Sequence, residues 1–210
     1  MTSTLVVLKL SRMPLFVPSF VSLPKLNVLE IRRVMGLDDN NIRILLPGCP
    51  TIEELVIEES TMEKTRVIDI SIPTLKSFPF SYRFVIDISV DCPYEFVINA
   101  PNLDYVHVKG HISDNFVAKS LVTLIDAHLD LRHIAVDADH YNIYHHVREL
   151  FKGIANIKLL SLSNDSVQLL CVANDLNLSR FPNLNPLALG LGVDICWERL
   201  TKKFIKCSPI

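Results

Sequence analysis

The 210-residue chain carries a formal net charge of −2, and hydrophobic residues make up 49% of it against 21% charged. That balance suits one domain with a substantial core and excludes a disordered polymer. Lys and Arg show no excess that would mark a nucleic-acid footprint, and Lys9, Arg12, Pro14 and Pro18 break the apolar stretch from Leu5 to Leu23, so no leader or membrane span is read there.

Taken in order, the first element is an apolar alternation at Leu5, Leu8 and Leu10. A similar one follows at Leu26, Leu29 and Ile31. Asp38 or Asp39 can then cap a short helix ending at Pro47-Gly48, with Ile42, Leu45 and Leu46 on its apolar side. Next comes Gly48-Cys49-Pro50-Thr51-Ile52-Glu53-Glu54-Leu55-Val56-Ile57-Glu58. Here a proline turn leads into a short alternating strand. Val67–Ile72, Phe84–Val90 and Phe96–Ile98 are β-branched and alternating and read as further short strands. Residues 113–118 read as a single turn before the next strand. Helices are expected over 139–151, over 166–172, and over 194–206, where Asp194 is the cap.

The Gly48–Glu58 unit cannot bury its apolar edge alone, and copies of it recur. With Pro50 as the phase, the apolar triplets are Leu5/Leu8/Leu10, Leu26/Leu29/Ile31, Ile52/Leu55/Ile57, Leu75/Phe78/Phe80, Leu103/Val106/Val108, Val122/Ile125/Ala127, Ile157/Leu160/Leu162 and Leu184/Leu187/Leu189. Pro24, Pro50, Pro73, Pro101 and Pro182 hold the phase position, and Ser3, Ser120 and Ala155 stand in for proline in the other three. The spacing, roughly 19 to 35 residues, suits leucine-rich repeats. The expected fold is therefore an α/β leucine-rich-repeat solenoid. A parallel sheet would form its concave face, and short helices and strands its convex face. The whole of 1–210 reads as one repeat domain, open at both ends and cut from a longer array. Pro186 marks the last strand as irregular or at an edge.

Some segments resemble a particular family. Leu45-Leu46-Pro47-Gly48-Cys49-Pro50-Thr51-Ile52-Glu53-Glu54-Leu55-Val56-Ile57 is similar to the Gly-Cys-Pro signature of plant F-box/leucine-rich-repeat proteins, many of which also carry an FBD domain. Leu5-Val6-Val7-Leu8-Lys9-Leu10, Val17–Pro24, Val97–Tyr105 and Phe181-Pro182-Asn183-Leu184 resemble elements of the same proteins. The resemblance implies the substrate-recognition part of an SCF-type ubiquitin ligase. Its partner would be a target protein, while the Skp adaptor and cullin would be engaged only by full-length relatives with an F-box. Neither the F-box pattern nor an FBD pattern is read within the chain. A ligand-sensing repeat domain of a cytosolic immune receptor and an inactive truncated paralogue are the other readings.

No phosphate loop, nucleophile elbow or dinucleotide fingerprint is found, so no enzyme activity and no cofactor are expected. His140, His145 and His146 have spacings that do not place two ligands on one helical face, and no metal is expected there. Five scattered cysteines without a Cys-x-x-Cys pair suit a reducing cytoplasm or nucleus. The candidate partner-binding residues are those between the core leucines, on the concave face: Glu30, Arg32, Val56, Glu58, Tyr105, His107, Lys109, Asp126 and His128, flanked by Lys9, Ser161 and Ser163. The partner expected there is a protein, not a nucleic acid or a membrane.

Overall fold

A computed structural model describes residues 4–61, 67–83, 95–111, 115–119, 121–132, 147, 150–172 and 181–190. Eight strands form one sheet: β1 (Val7–Ser11), β2 (Val28–Arg32), β3 (Glu54–Thr61), β5 (Ser77–Arg83), β7 (Tyr105–His111), β9 (Asp126–Arg132), β10 (Leu159–Leu162) and β11 (Leu187–Leu189), side by side in that order. Every pairing is parallel. A second parallel sheet holds β4 (Val67–Ser71), β6 (Glu95–Asn99) and β8 (Asn115–Lys119). Neighbours in the main sheet follow one another in the chain once these three strands are set aside. That is the topology of a leucine-rich-repeat solenoid of the α/β class.

Each repeat enters its strand through the same turn. The N–H of the fourth residue bonds the carbonyl of the first in Leu23–Leu26, Cys49–Ile52, Ile72–Leu75, Ala100–Leu103, Leu121–Leu124, Ile154–Ile157 and Phe181–Leu184. The phase residue is the second of the four, where proline's fixed φ pre-sets the turn. The third residue then ties its turn to the one before. Thr51 donates to the Leu26 carbonyl at 2.9 Å, Thr74 to that of Ile52 at 2.6 Å, and Thr123 to that of Leu103 at 3.0 Å. Asn102 donates to the Pro73 carbonyl at 2.7 Å. A backbone bond repeats beside this ladder. The carbonyls of Val6, Asn27, Glu53, Lys76, Asp104 and Ile125 each accept two successive N–H groups from the next repeat.

The turns correct one phase. Val122, not Ser120, takes the proline position, because Leu121–Leu124 closes the turn and Val106 pairs with Ala127. The core triplet of that repeat is Leu124/Ala127/Leu129, and Val122 and Ile125 point out, 69% and 43% exposed. The inward residues of the central repeats are otherwise buried, from Leu26, Leu29 and Ile31 through Ile157, Leu160 and Leu162.

The back of the sheet is filled by mixed elements. The Asp38 side chain accepts from the Asn41 N–H at 2.7 Å and caps α1 (Asp39–Leu45), whose Ile42 and Leu45 are buried. A 3-10 turn, Leu46–Gly48, follows. Gly48 is required there: a Cβ would stand 2.5 Å from the Val21 carbonyl oxygen. The expected strands at Val67–Ile72 and Phe96–Ile98 are β4 and β6. Residues 115–119 form strand β8, not a turn; pairing with β6 decides the matter. The expected strand at 84–90 and helix at 194–206 lie outside the described residues. Of the expected helix at 139–151, Val147, Leu150 and Phe151 are described, and they are helical and buried. The last helix among the described residues is α2 (Asn164–Val172), where the Ser166 hydroxyl donates to the Leu129 carbonyl at 2.8 Å and accepts from the Leu131 N–H at 2.7 Å. β11 begins just after Pro186 and lies at the edge of the sheet. No helix among the described residues is long and apolar enough to cross a membrane.

Arg12 and Arg33, just past β1 and β2, and Glu59, at the irregularity within β3, share an unusual backbone. Arg12, Arg33 and Glu59 each adopt positive φ, at 54°, 55° and 48°. Each costs on the order of 1 kcal/mol or more in a non-glycine residue. They stack, because the Arg12 N–H bonds the Arg32 carbonyl and the Arg33 N–H bonds that of Glu58. After Glu59 the register between β3 and β5 shifts, and Ser60 is fully buried. Its hydroxyl accepts from the Val34 N–H and donates to the Glu58 carbonyl, both at 3.2 Å.

Two outcomes are expected. Thr74→Val and Thr123→Val should each lower stability by about 1 kcal/mol, read as a shift in urea midpoint, since each leaves two turn carbonyls without a donor. The β1 edge leaves Val6 and Val7 exposed, and the connection from β1 to β2 leaves Phe16 and Phe20 84% and 78% exposed. The 210-residue chain should therefore self-associate as its concentration rises, measured by light scattering, and Phe16→Ser with Phe20→Ser should suppress this.

Candidate partner-binding face

Alternation along each strand sends one set of side chains into the core and the other to the open face, which is the face expected to be concave. Parallel register lines the outward residues into rows. The middle row runs Lys9, Glu30 and Val56 across β1–β3, then Pro79, His107, His128, Ser161 and Ala188 across β5–β11. Two residues earlier on each strand lie Val28, Glu54, Ser77, Tyr105 and Asp126. Two residues later lie Ser11, Arg32 and Glu58 on β1–β3, and Ser81, Lys109 and Asp130 on β5–β9. The corrected phase is what places Tyr105 beside Asp126 and His107 beside His128.

Val56 needs a second correction. It sits in the middle row but is only 1% exposed, and it lies outside the main apolar core, so it offers no binding surface. Its neighbours across the sheet, Glu30 and Pro79, bracket its small side chain. Pro79 and Asp130 belong to the face and were not among the candidates. Strict alternation with buried Phe78 and Phe80 would have found Pro79, and the phase shown by Thr123 would have found Asp130.

Ion pairs occupy the β1–β3 half. Lys9 Nζ lies 2.6 Å from Glu30 Oε1, Arg32 Nε donates to Glu30 Oε2 at 3.2 Å, and Arg32 Nη1 also pairs with Glu58. The Lys9 hydrogen bond, reinforced by Arg32, holds the Glu30 carboxyl below the usual carboxylate range. At this exposure such pairs order the face more than they stabilise it. Beyond them, Ser11, Arg12, Arg32, Arg33, Glu58 and Glu59 line a hollow of about 420 Å³. Arg33 donates to Glu59 there at 2.6 Å.

Rings occupy the β7–β9 half. The His128 ring lies 5.7 Å from Tyr105 and 5.9 Å, edge to face, from His107. Burial and then the His128 neighbour push His107 below the ordinary histidine value. Burial, followed by the Asp126 charge, pushes the Tyr105 phenol up. Lys109 pairs with Asp130 at 3.2 Å. Burial raises the Asp130 carboxyl, but the Ser163 hydroxyl and Lys109 outweigh it, and the group sits below the usual range. Asp126 Oδ1 is 3.2 Å from His128 Nε2, yet the alignment is too poor for a hydrogen bond, and this buried oxygen has no hydrogen-bond partner among the described residues.

Nothing in this arrangement makes a nucleophile. Burial pushes the Cys49 thiol up to about 11, so thiolate is scarce near neutral pH. Among the described residues no group of three or more His, Cys, Asp or Glu side chains could hold a metal ion.

His107 gives a pH dependence with a definite sign. Its folded-state value is depressed, while the unfolded value is about 6.5. As pH falls through the unfolded value the unfolded chain takes up the proton first, so stability present above that value is lost. Tm should fall between pH 7 and 5.5, and His107→Asn should reduce that fall. The carboxylates Glu30 and Asp130 add their loss only lower, as pH drops through the carboxylate range.

Comparison with known proteins gives relatives in one plant. The F-box/LRR-repeat protein At1g06630 of Arabidopsis thaliana is 34% identical over 197 residues, covering 91% of this chain and 45% of the relative. The F-box/FBD/LRR-repeat protein At1g13780 of the same plant is 30% identical over 191 residues, covering 87% of this chain and 41% of the relative. The F-box/LRR-repeat protein At4g14096, also from Arabidopsis, is 29% identical over 217 residues, covering 100% of this chain and 44% of the relative. The chain thus spans less than half the length of these curated relatives. No family model matches, and no solved structure matches. On its fold, its motifs and these relatives, the chain is a leucine-rich-repeat homologue of the plant F-box/LRR-repeat proteins.

Proposed function

We propose that the chain is a protein-binding module whose open sheet face holds a target protein, and that it serves as substrate-recognition repeats of an F-box-type ubiquitin ligase. The observation that carries this reading is the eight-stranded parallel sheet, whose outward rows hold mostly half-buried polar and aromatic side chains over a buried apolar layer. Eight strands at about 4.8 Å spacing span about 34 Å. Three rows about 7 Å apart then give a face of the order of the roughly 800 Å² that each partner contributes to a standard interface. A sheet locked by turns on one side and a packed back on the other loses little entropy on binding. The relatives' names supply the F-box half of the reading. In such proteins the repeats would hold the target, and the F-box would engage the Skp adaptor. No catalytic role is proposed, since an adaptor of this kind only has to hold its target.

The test uses the purified 210-residue chain as bait on plant extract, beside a variant with alanine at His107, Lys109, Asp126 and His128. None of these four supplies core packing, so the variant should keep its circular dichroism and Tm near neutral pH. A target retained by the chain should be lost, at least about tenfold, by the variant. The Skp adaptor should not be recovered by the 210 residues alone. A retained target indifferent to all four alanines, or direct capture of the adaptor, would overturn the reading.

A further inference from the structure

The open face is not neutral ground. It carries the cations Lys9, Arg32 and Lys109 and the anions Glu30, Glu54, Glu58, Asp126 and Asp130. All three cations are already committed: Lys9 to Glu30, Arg32 to Glu30 and Glu58, and Lys109 to Asp130. Arg12 stands apart, beyond the carboxyl ends of the strands. Two carboxylates, Glu54 and Asp126, have no Lys or Arg partner among the described residues. They lie in one row, Glu54–Ser77–Tyr105–Asp126, at either end of it.

Asp126 is set up for a cation from outside. Its side chain is 28% exposed, so the carboxylate is reached through its outer oxygen while the inner one lies buried beside His128 Nε2, and the adjoining rings of Tyr105 and His128 offer π faces. A guanidinium can stack on such rings and hydrogen-bond a carboxylate at once. His107, held neutral near pH 7, does not repel it. An acidic segment would find no uncommitted cation on these rows and would meet two carboxylates that no Lys or Arg of the described residues neutralises.

Resting on the reading that this face binds a protein, we propose that the segment it takes is basic and extended, with one cationic side chain over Tyr105 and His128 onto Asp126 and a second on Glu54. The spacing fits. Glu54 and Asp126 are three strand steps apart, about 14 Å, and residues i and i+4 of an extended peptide lie on one face at about the same separation. Specificity then follows from charge: the face selects by leaving two carboxylates open and closing its cations.

Fluorescence anisotropy with three synthetic probes tests this. One is a twelve-residue Gly/Ser peptide bearing Arg at i and i+4, one bears the two Arg side by side, and one bears Glu at i and i+4. The first should bind best and weaken as salt rises. Glu54→Gln and Asp126→Asn should each weaken it about fivefold, whereas Arg12→Gln, beyond the strands, should not. Equal binding to the double variant Glu54→Gln/Asp126→Asn, or preference for the Glu peptide, overturns the proposal. So does a dimer in light scattering that disappears with Asp126→Asn, because it makes a second copy the occupant. The two levels separate cleanly. If the Arg peptide fails while the four-alanine variant loses its retained target, only the basic assignment falls. If the four-alanine variant keeps that target, the reading beneath it falls as well.

Discussion

The structure depends on a turn that hydrogen-bonds to the turn before it. Closure between the first and fourth residues fixes where each strand begins. The Thr or Asn at the third place then fixes that start relative to the previous repeat, through Thr51, Thr74, Asn102 and Thr123. Parallel strands joined through long connections have no tight hairpin to set their register. Here the register is set outside the sheet, by side chains that recur in four successive repeats. The buried columns Leu26–Ile52–Leu75–Leu103–Leu124 and Leu29–Leu55–Phe78–Val106–Ala127 follow from it.

The same ladder explains what the sequence made legible and what it hid. The repeat and its parallel strands were readable because the period-two core and the proline turn mark the same places. Ser120 looks like a phase residue because Val122/Ile125/Ala127 imitates the apolar triplet. Thr123, in the place of Thr51 and Thr74, was the better guide, since a hydroxyl there has a mechanical use that an apolar residue in a turn does not. Strand β8 was hidden for another reason. Ser113-Asp114-Asn115 has the composition of a turn, and pairing with β6, a long-range event, makes residues 115–119 a strand. On the face, sequence could name the residues that point outward but not their burial. Val56 points outward and is covered, while the ring cluster of Tyr105, His107 and His128 exists only because two strands came into register.

The face is divided as a result. The β1–β3 half satisfies its own charges through Lys9, Glu30, Arg32 and Glu58, and its backbone is strained at Arg12, Arg33 and Glu59. The β7–β9 half keeps weakly charged rings and a carboxylate with an unmet hydrogen-bonding oxygen. One half is preordered and the other chemically unsatisfied. A single scaffold thereby presents both a rigid reference surface and a place where a partner improves the bonding of the protein itself.

The paired N–H bonds onto single carbonyls, from Val6 through Ile125, also set how the molecule comes apart. Each repeat is clamped only to its two neighbours, so opening one costs two joints in the interior and a single joint at either end. Such an array behaves as a zipper. Among the described strands, the amide protons of β5 and β7, clamped on both sides, should exchange more slowly than those of the sheet-edge strands β1 and β11. Thermal motion is then least in the middle of the array, at β7, the strand that carries Tyr105 and His107.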